Sequence, residues 1–137
     1  LVSGEIIAAD SNLLQWFGKE EIAIMREAVE DHRASSDHEP RSIYGKIVAE
    51  ADRIIDTDTT LRRTVQYGLK QNPAADEAWH YQRFHKHLME KYAPGGYLKL
   101  WLPDSKNAER LKELQSIIAD EVRLKSIFHR MFEEEKR

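Results

Sequence analysis

Apolar residues recur every three or four positions along nearly the whole chain, which is the spacing of amphipathic α-helices. Capping residues, glycines and prolines divide this pattern into six predicted helices. They span 3–16, 19–34, 41–56, 60–70 and 75–92, and the last begins at Asp104 or Ser105. Residues 97–102 alternate weakly between apolar and polar and are the one strand-like stretch. The pattern therefore predicts an all-α protein.

The last predicted helix is long for so small a protein. It would contain about thirty residues and extend beyond the diameter of the domain that it packs against. The excess length either serves a partner, such as a second copy of the chain in a homodimer, or wraps the chain's own domain and frays near the C-terminus. We expect a compact helical fold with a long C-terminal helix.

One histidine falls on an apolar helix face. At about 100° per residue, His32 lies within the stripe formed by Met25, Ala28 and Val29 on the second predicted helix. In an arbitrary helical protein, such a residue is usually a core histidine that donates to a nearby carbonyl or carboxylate. Metal binding is the alternative interpretation.

One carboxylate lies at the margin of the apolar stripe of the following helix, where Asp52 falls just beyond Val48. The stripe is predicted to be buried, and it consists of Ile43, Tyr44, Ile47, Val48, Ala51, Ile54 and Ile55. A lone buried carboxylate is costly, so we expect Asp52 to have a neutralising partner. That partner is either a divalent metal or an arginine, Arg41 or Arg53.

His32 and Asp52 belong to two segments that together resemble a known motif. Glu30-Asp31-His32-Arg33 is followed, across a short polar loop, by a helix of the form K-I-x-x-x-A-D-R-I-x-D at 46–56. This arrangement resembles the second half of the HD superfamily of metal-dependent phosphohydrolases, over roughly residues 1–70. The resemblance implies that Asp52 is a metal ligand and that His32 is a second ligand or contacts a substrate phosphate. It also implies an all-α HD-like domain with a divalent metal ion as cofactor.

The chain departs from the family pattern in one respect. The family's site begins with a histidine and an adjacent His-Asp pair, whereas this chain contains no His-Asp dipeptide and has the reverse order at positions 31 and 32. The family's first histidine and its His-Asp pair would precede Leu1, and the chain begins with leucine. We therefore expect a fragment that lacks the N-terminal metal-binding helices of such a domain.

Four basic residues are candidates for contact with a substrate. Arg41 and His38 lie in the loop between the two motif helices, and Arg33 and Arg53 follow the two motif residues directly. The more common alternative for such residues is solvation or a surface salt bridge. The substrate that the resemblance implies is a phosphorylated small molecule or a nucleotide, hydrolysed at a phosphomonoester or phosphodiester bond.

Composition sets the remaining expectations. With 137 residues, of which 41% are hydrophobic, the chain is long enough for one compact domain over residues 1–137. A net charge of −3 without a cluster of Lys and Arg argues against binding to nucleic acid or to an anionic membrane. There is no cysteine, and no apolar run approaches the ~20 residues that span a bilayer, so we expect a cytoplasmic protein.

Two functional hypotheses follow. The first is an HD-type phosphohydrolase that is incomplete in this chain, with further metal ligands supplied from outside the sequence or by another chain. The second is a catalytically inactive helical interaction module derived from the same fold. A further metal site at His80, His85 and His87 is disfavoured, because the spacing does not place two of them one turn apart on a helix.

Overall fold

The computed structural model describes residues 2–36 and 38–137 of the chain. Within these residues the protein forms eight α-helices and no strand, and with 72% of the residues helical the all-α prediction is confirmed. None of these helices is both long enough and apolar enough to cross a membrane. The helices are α1 (Val2–Ala9), α2 (Ser11–Trp16), α3 (Lys19–Asp31), α4 (Ile43–Asp52), α5 (Thr57–Gln71), α6 (Glu77–Lys91), α7 (Lys106–Ala119) and α8 (Glu121–Lys136).

Two of the predicted helices are each divided in two by an aspartate. The Asp10 side chain accepts hydrogen bonds from the backbone N–H groups of Asn12 and Leu13, and Asp120 accepts one from Arg123 at 3.0 Å. An aspartate in this position caps the first turn of a new helix and so competes with continuation of the preceding one. The last predicted helix is therefore two helices, α7 and α8, and its length no longer argues for a homodimer.

The strand-like stretch at 97–102 forms no strand. A turn in which Gly95 has a φ of 83° reverses the chain after α6. The backbone N–H groups of Tyr97 and Leu98 then donate to the carbonyls of Glu90 and Lys91, both at 3.0 Å. These two amides are thus paired with the last turn of α6, so the stretch continues as irregular backbone.

The chain divides into two compact units. Unit 1 comprises Leu1–Ile54 with Lys99–Asn107, and unit 2 comprises Ile55–Leu98 with Ala108–Arg137. The expectation of a single domain stays a prediction, and each unit is described by itself below.

Unit 2 contains most of the buried apolar side chains. Helices α5, α6 and α8 pack on one another, and their aromatic residues meet in the centre. The ring of Phe128 lies 5.0 Å from that of Phe84 and 5.5 Å from that of Phe132, measured between centroids, and none of the three is more than 2% exposed. Buried aromatic rings at these distances contribute strongly to stability, through both their area and their mutual contacts.

Unit 1 is built around α3, which packs against α1, α2 and α4. The contact between α3 and α4 is made through small residues. A Cβ atom at Gly45 would lie 3.6 Å from the Cα of Ala28 on α3, an ordinary contact distance, and 3.0 Å from the Cβ of Pro40 in the segment before α4, which is tight. Ala49, one turn later, is fully buried on the same side of α4.

The predicted buried stripe of α4 is wrong at most of its positions. Ile43, Tyr44 and Ile47 are between 50% and 58% exposed, and Val48 and Ala51 are exposed as well. Of the two stripe residues that follow α4, Ile54 is exposed and Ile55 is buried. The physical reason is that α4 turns its small residues, and not its large apolar ones, toward α3. We call Ile43, Tyr44, Ile47, Val48 and Ala51 the α4 stripe.

Removal of a central aromatic ring should weaken unit 2 much more than a change on the surface of the same helix. Phe128→Ala is expected to lower the free energy of unfolding by about 3–5 kcal/mol, because it leaves a cavity in the core. Val122→Ala, at a residue that is 83% exposed, is the control and should change it by less than about 0.5 kcal/mol. Urea denaturation followed by circular dichroism measures both, and equal effects would contradict this description of the core.

Candidate functional site

His32 terminates α3 and is half-buried. Its ring Nδ1 lies 2.5 Å from the carbonyl oxygen of Val29, one of the last carbonyls of the helix. A carbonyl oxygen can only accept, so Nδ1 carries the hydrogen and donates. In the neutral ring Nε2 then keeps its lone pair. This is the bond to a carbonyl expected of a core histidine, and it is also the bond that orients a metal-ligating imidazole.

Asp52 is the last residue of α4 and is exposed. The prediction that this carboxylate aims inward is wrong, because the stripe that it borders is itself exposed. Among residues 2–36 and 38–137, its side chain forms no hydrogen bond and no salt bridge, with Arg41 and Arg53 included. The carboxylate is thus available to a group outside the described structure.

The structure does not bring His32 and Asp52 into contact. Helix α4 crosses α3 where Gly45 meets Ala28, one turn before His32. Asp52 lies seven residues beyond Gly45, about 10 Å further along the axis of α4. The two motif residues are therefore held on adjacent packed helices, with Asp52 well away from the point where the helices cross.

Arg41, in the segment before α4, binds two carboxylates at the end of α3. Its Nε and Nη2 donate to the two oxygens of Asp31 at 3.0 and 2.9 Å, and its backbone N–H donates to the same carboxylate at 2.9 Å. Its Nη2 also donates to Glu30 at 2.9 Å. The Asp31 side chain is 2% exposed and that of Arg41 is 47% exposed. This bidentate ion pair fastens the segment that enters α4 onto the end of α3.

The ion pair sets the charges of its members. Burial by itself raises the pKa of Asp31, but the hydrogen bonds from the side chain and backbone of Arg41 outweigh burial and hold that pKa below its usual value. The hydrogen bond from Arg41 likewise lowers the pKa of Glu30, and both carboxylates raise the pKa of Arg41. With His38 and Glu39, these residues line a cleft of about 470 Å³.

The other residues predicted to contact substrate lie in different surroundings. Arg53 is buried, its Nη1 donates to the Ala49 carbonyl at 2.7 Å, and burial lowers its pKa. His38 is exposed and its Nδ1 is 3.4 Å from the Glu39 carbonyl oxygen. Arg33 is exposed beside His32. Of the four, Arg41 and His38 share the cleft, and the structure places Arg53 inside unit 1.

The role of the acidic residues beside His32 was not predicted. Asp31 and Glu30 bind Arg41, and the signal in the sequence was an Asp-His-Arg segment followed, after a short loop, by a further arginine. The burial of Glu50 was not predicted either; its two carboxylate oxygens are buried and have no hydrogen-bond partner among the described residues. The sequence gave no indication that Glu50 is buried, because Glu50 lies next to the apolar stripe of α4 and the stripe itself was expected to be the buried side.

In residues 2–36 and 38–137, no group of three or more His, Cys, Asp or Glu side chains lies close enough together to hold one metal ion. No protein-family model, curated protein or solved structure matches the chain. The HD-type interpretation therefore stays a prediction.

Loss of the Asp31 charge should weaken unit 1 and change its response to acid. Asp31→Asn is expected to cost about 2 kcal/mol, because Arg41 loses a buried partner. The folded-state pKa lies below the ordinary value of 3.8. The carboxylate therefore stabilises the fold fully above that pH, and the contribution is lost as the pH falls through the folded-state pKa.

Urea denaturation at pH 7 and at pH 3 measures both effects. The unsubstituted chain should lose more stability between these pH values than Asp31→Asn does. Asp58→Asn is the matched control, because Asp58 pairs with Arg62 at 3.4 Å on the surface and should contribute less than about 0.5 kcal/mol. If Asp31→Asn and Asp58→Asn change the free energy of unfolding equally, Asp31 does not hold the segment before α4 in place.

Proposed function

We propose that the chain contributes to the site of an HD-type metal-dependent phosphohydrolase, with Asp52 as a metal ligand and His32 as a second ligand or a contact to the substrate phosphate. The observation that supports it most is the Asp52 carboxylate, which is exposed at the end of α4 and has no partner within the described residues. The neighbouring Arg53 forms no salt bridge with it: the Arg53 Nη1 donates to the Ala49 carbonyl, and the guanidinium and the Asp52 carboxylate interact only through their charges.

The orientation of His32 supports the same proposal. Because Nδ1 donates to the Val29 carbonyl, the ring is fixed and Nε2 is the nitrogen left for a ligand. A neutral imidazole can bind a metal ion through that lone pair, and the protonated ring can donate to a phosphate oxygen. The ring position alone suits either role, but His32 and Asp52 lie too far apart, as placed on α3 and α4, to bind one ion together.

The donor chemistry of these two residues fits a divalent metal, but their number does not complete a site. Imidazole and carboxylate ligands suit zinc, iron, manganese, nickel or cobalt. Catalytic zinc sites have three protein ligands, and the described residues hold no such group. The proposal therefore requires ligands from outside this sequence or from another chain. A divalent ion held there would act as a Lewis acid toward a phosphate ester.

Residues of the cleft are the proposed contacts to the substrate. Arg41 keeps Nη1 free of short bonds, since its nearest carboxylate oxygen, on Glu27, is 3.9 Å away. The cleft also contains the carboxylates of Glu30, Asp31 and Glu39, so a phosphate oxygen would reach this guanidinium only by displacing one of its carboxylate partners. Arg33, exposed beside His32, is placed to do the same. Arg53 is buried within unit 1, so its side chain would have to move outward to contact a substrate.

The alternative is a helical interaction module without catalysis. The observation that favours it is the α4 stripe, since a row of large apolar side chains on the surface usually marks a binding surface. The two proposals differ in whether Asp52 holds a metal ion, and that difference is directly measurable.

Elemental analysis of the purified chain, and of any longer protein that contains it, tests the hydrolase. We expect stoichiometric metal that is lost on Asp52→Ala and kept in Asp104→Ala, a matched control at an exposed aspartate. Metal lost in His32→Ala would make His32 a ligand, and metal kept there would show that His32 is not a required ligand. Absence of metal from the chain and from the longer protein would contradict the hydrolase and leave the interaction module.

A further inference from the structure

His80 lies on α6, in the core of unit 2. It is 3% exposed, and its ring lies 5.3 Å from that of Phe132 on α8, measured between centroids. Toward α5 the fit is equally close, because a Cβ atom at Gly68 would lie 3.1 Å from the His80 Nδ1. The imidazole is therefore enclosed by α5, α6 and α8, the helices that form the core of this unit.

The hydrogen bonds of the His80 ring suit its neutral form. Nε2 is buried and has no hydrogen-bond partner among the described residues. The ring is bonded to the backbone of Asn72 at the end of α5, and since Nε2 has no partner, Nδ1 donates that bond. A further proton on the ring would turn Nε2 into a buried donor without an acceptor. This is costlier than a buried lone pair because the ring then carries a charge.

The charged groups around His80 offer the protonated ring little stabilisation. Arg83 of α6 and Lys136 of α8 are cations, and both act against a further positive charge. Asp76, the carboxylate that favours such a charge, lies at the start of α6, where its side chain caps the helix. Helix α5 presents the phenol of Tyr67, which lies under the Arg83 guanidinium at 4.7 Å. Two cations therefore oppose one carboxylate.

We propose that His80 is a pH-sensitive switch, and that its protonation in mild acid loosens the packing of α6 against α5 and α8. A charged ring beside Phe132 can regain hydration only if these helices separate. The rings of Phe84 and Phe128 pack on the same helices, so the whole aromatic core of unit 2 would loosen with them. This inference goes beyond the proposed function and involves none of its residues.

The direction of the pH dependence follows from the environment of the ring. Burial lowers the pKa of His80 below its ordinary value of 6.5 and outweighs the hydrogen bond to Asn72. The opened form has the ordinary pKa, so it takes up a proton at a pH where the folded form does not. Stability is therefore complete above about pH 6.5 and is lost as the pH falls below it. At pH 5 the equilibrium constant for opening should have risen by at most about 30-fold.

His129, on the surface of the same unit, has the opposite pH dependence. Its Nδ1 lies 2.7 Å from a carboxylate oxygen of Glu77, and this hydrogen bond raises the pKa of His129. The contribution of this pair is fully present below the ordinary pKa of 6.5 and is lost as the pH rises through the folded-state pKa. Substitutions at the two histidines should therefore change the response to acid in opposite directions.

Hydrogen exchange of the full chain at pH 7.5 and pH 5, corrected for the intrinsic exchange rates, is the first measurement. The amides of α6 should lose up to about 30-fold in protection at pH 5, while those of α3 in unit 1 serve as the internal reference. At pH 5 the Glu135 carboxylate, whose pKa is lowered by the hydrogen bond from Arg62, keeps its charge and its ion pair.

Two variants assign the effect to one ring. His80→Gln removes the titrating group but keeps a neutral polar side chain, so its loss of α6 protection between the two pH values should be much smaller. His129→Gln is the matched control and should make that loss larger. A loss in His80→Gln equal to that of the unsubstituted chain would overturn the proposal, and so would an equal reduction in both variants.

NMR titration of the unsubstituted chain tests the same inference without a substitution that could disturb folding. The His80 ring should remain neutral in the folded chain, with the hydrogen on Nδ1, down to the pH at which the α6 amides lose protection. A His80 ring that takes up a proton near pH 6.5, while α6 stays protected, would overturn the proposal.

Discussion

The packing of α4 on α3 through Gly45 and Ala49 is the constraint that decides which face of α4 is exposed. Helix α4 presents its small residues to α3, and a Cβ atom at Gly45 would be in ordinary contact with the Cα of Ala28, at 3.6 Å. This packing leaves the large apolar residues of the same helix exposed, and with them Asp52. The exposure of the proposed metal ligand therefore results from one packing contact.

The Asp31–Arg41 ion pair acts on the same element. It is bidentate, one of its partners is almost fully buried, and it connects the end of α3 to the residues that lead into α4. After a long loop, the start of the second of two packed helices can shift along the first helix. A buried ion pair holds that start in one register. The ion pair thus fixes where His32 and the cleft lie relative to the start of α4.

The sequence predicted the helical class, and most helix positions, because these depend on local spacing and on caps. The breaks at Asp10 and Asp120 were missed, although an aspartate inside an apolar pattern is itself a capping signal. The burial of α4 was also mispredicted. Periodicity shows that a helix has an apolar side, but it does not show which side meets a neighbour, and here Gly45 and Ala49 decided that. The carboxylate partners of Arg41 could likewise not be predicted, because they depend on how the loop between α3 and α4 folds back onto α3.

The orientation of α4 is the central claim, and thiol labelling tests it most directly. Single cysteines are introduced as Ile47→Cys and Ala49→Cys in the cysteine-free chain. The structure predicts that the cysteine at position 47 reacts at close to the rate of an unfolded peptide. It predicts that the cysteine at position 49, where the side chain is fully buried, reacts far more slowly. The reverse order would mean that α4 packs through its apolar stripe, and the exposed position of Asp52 would be contradicted.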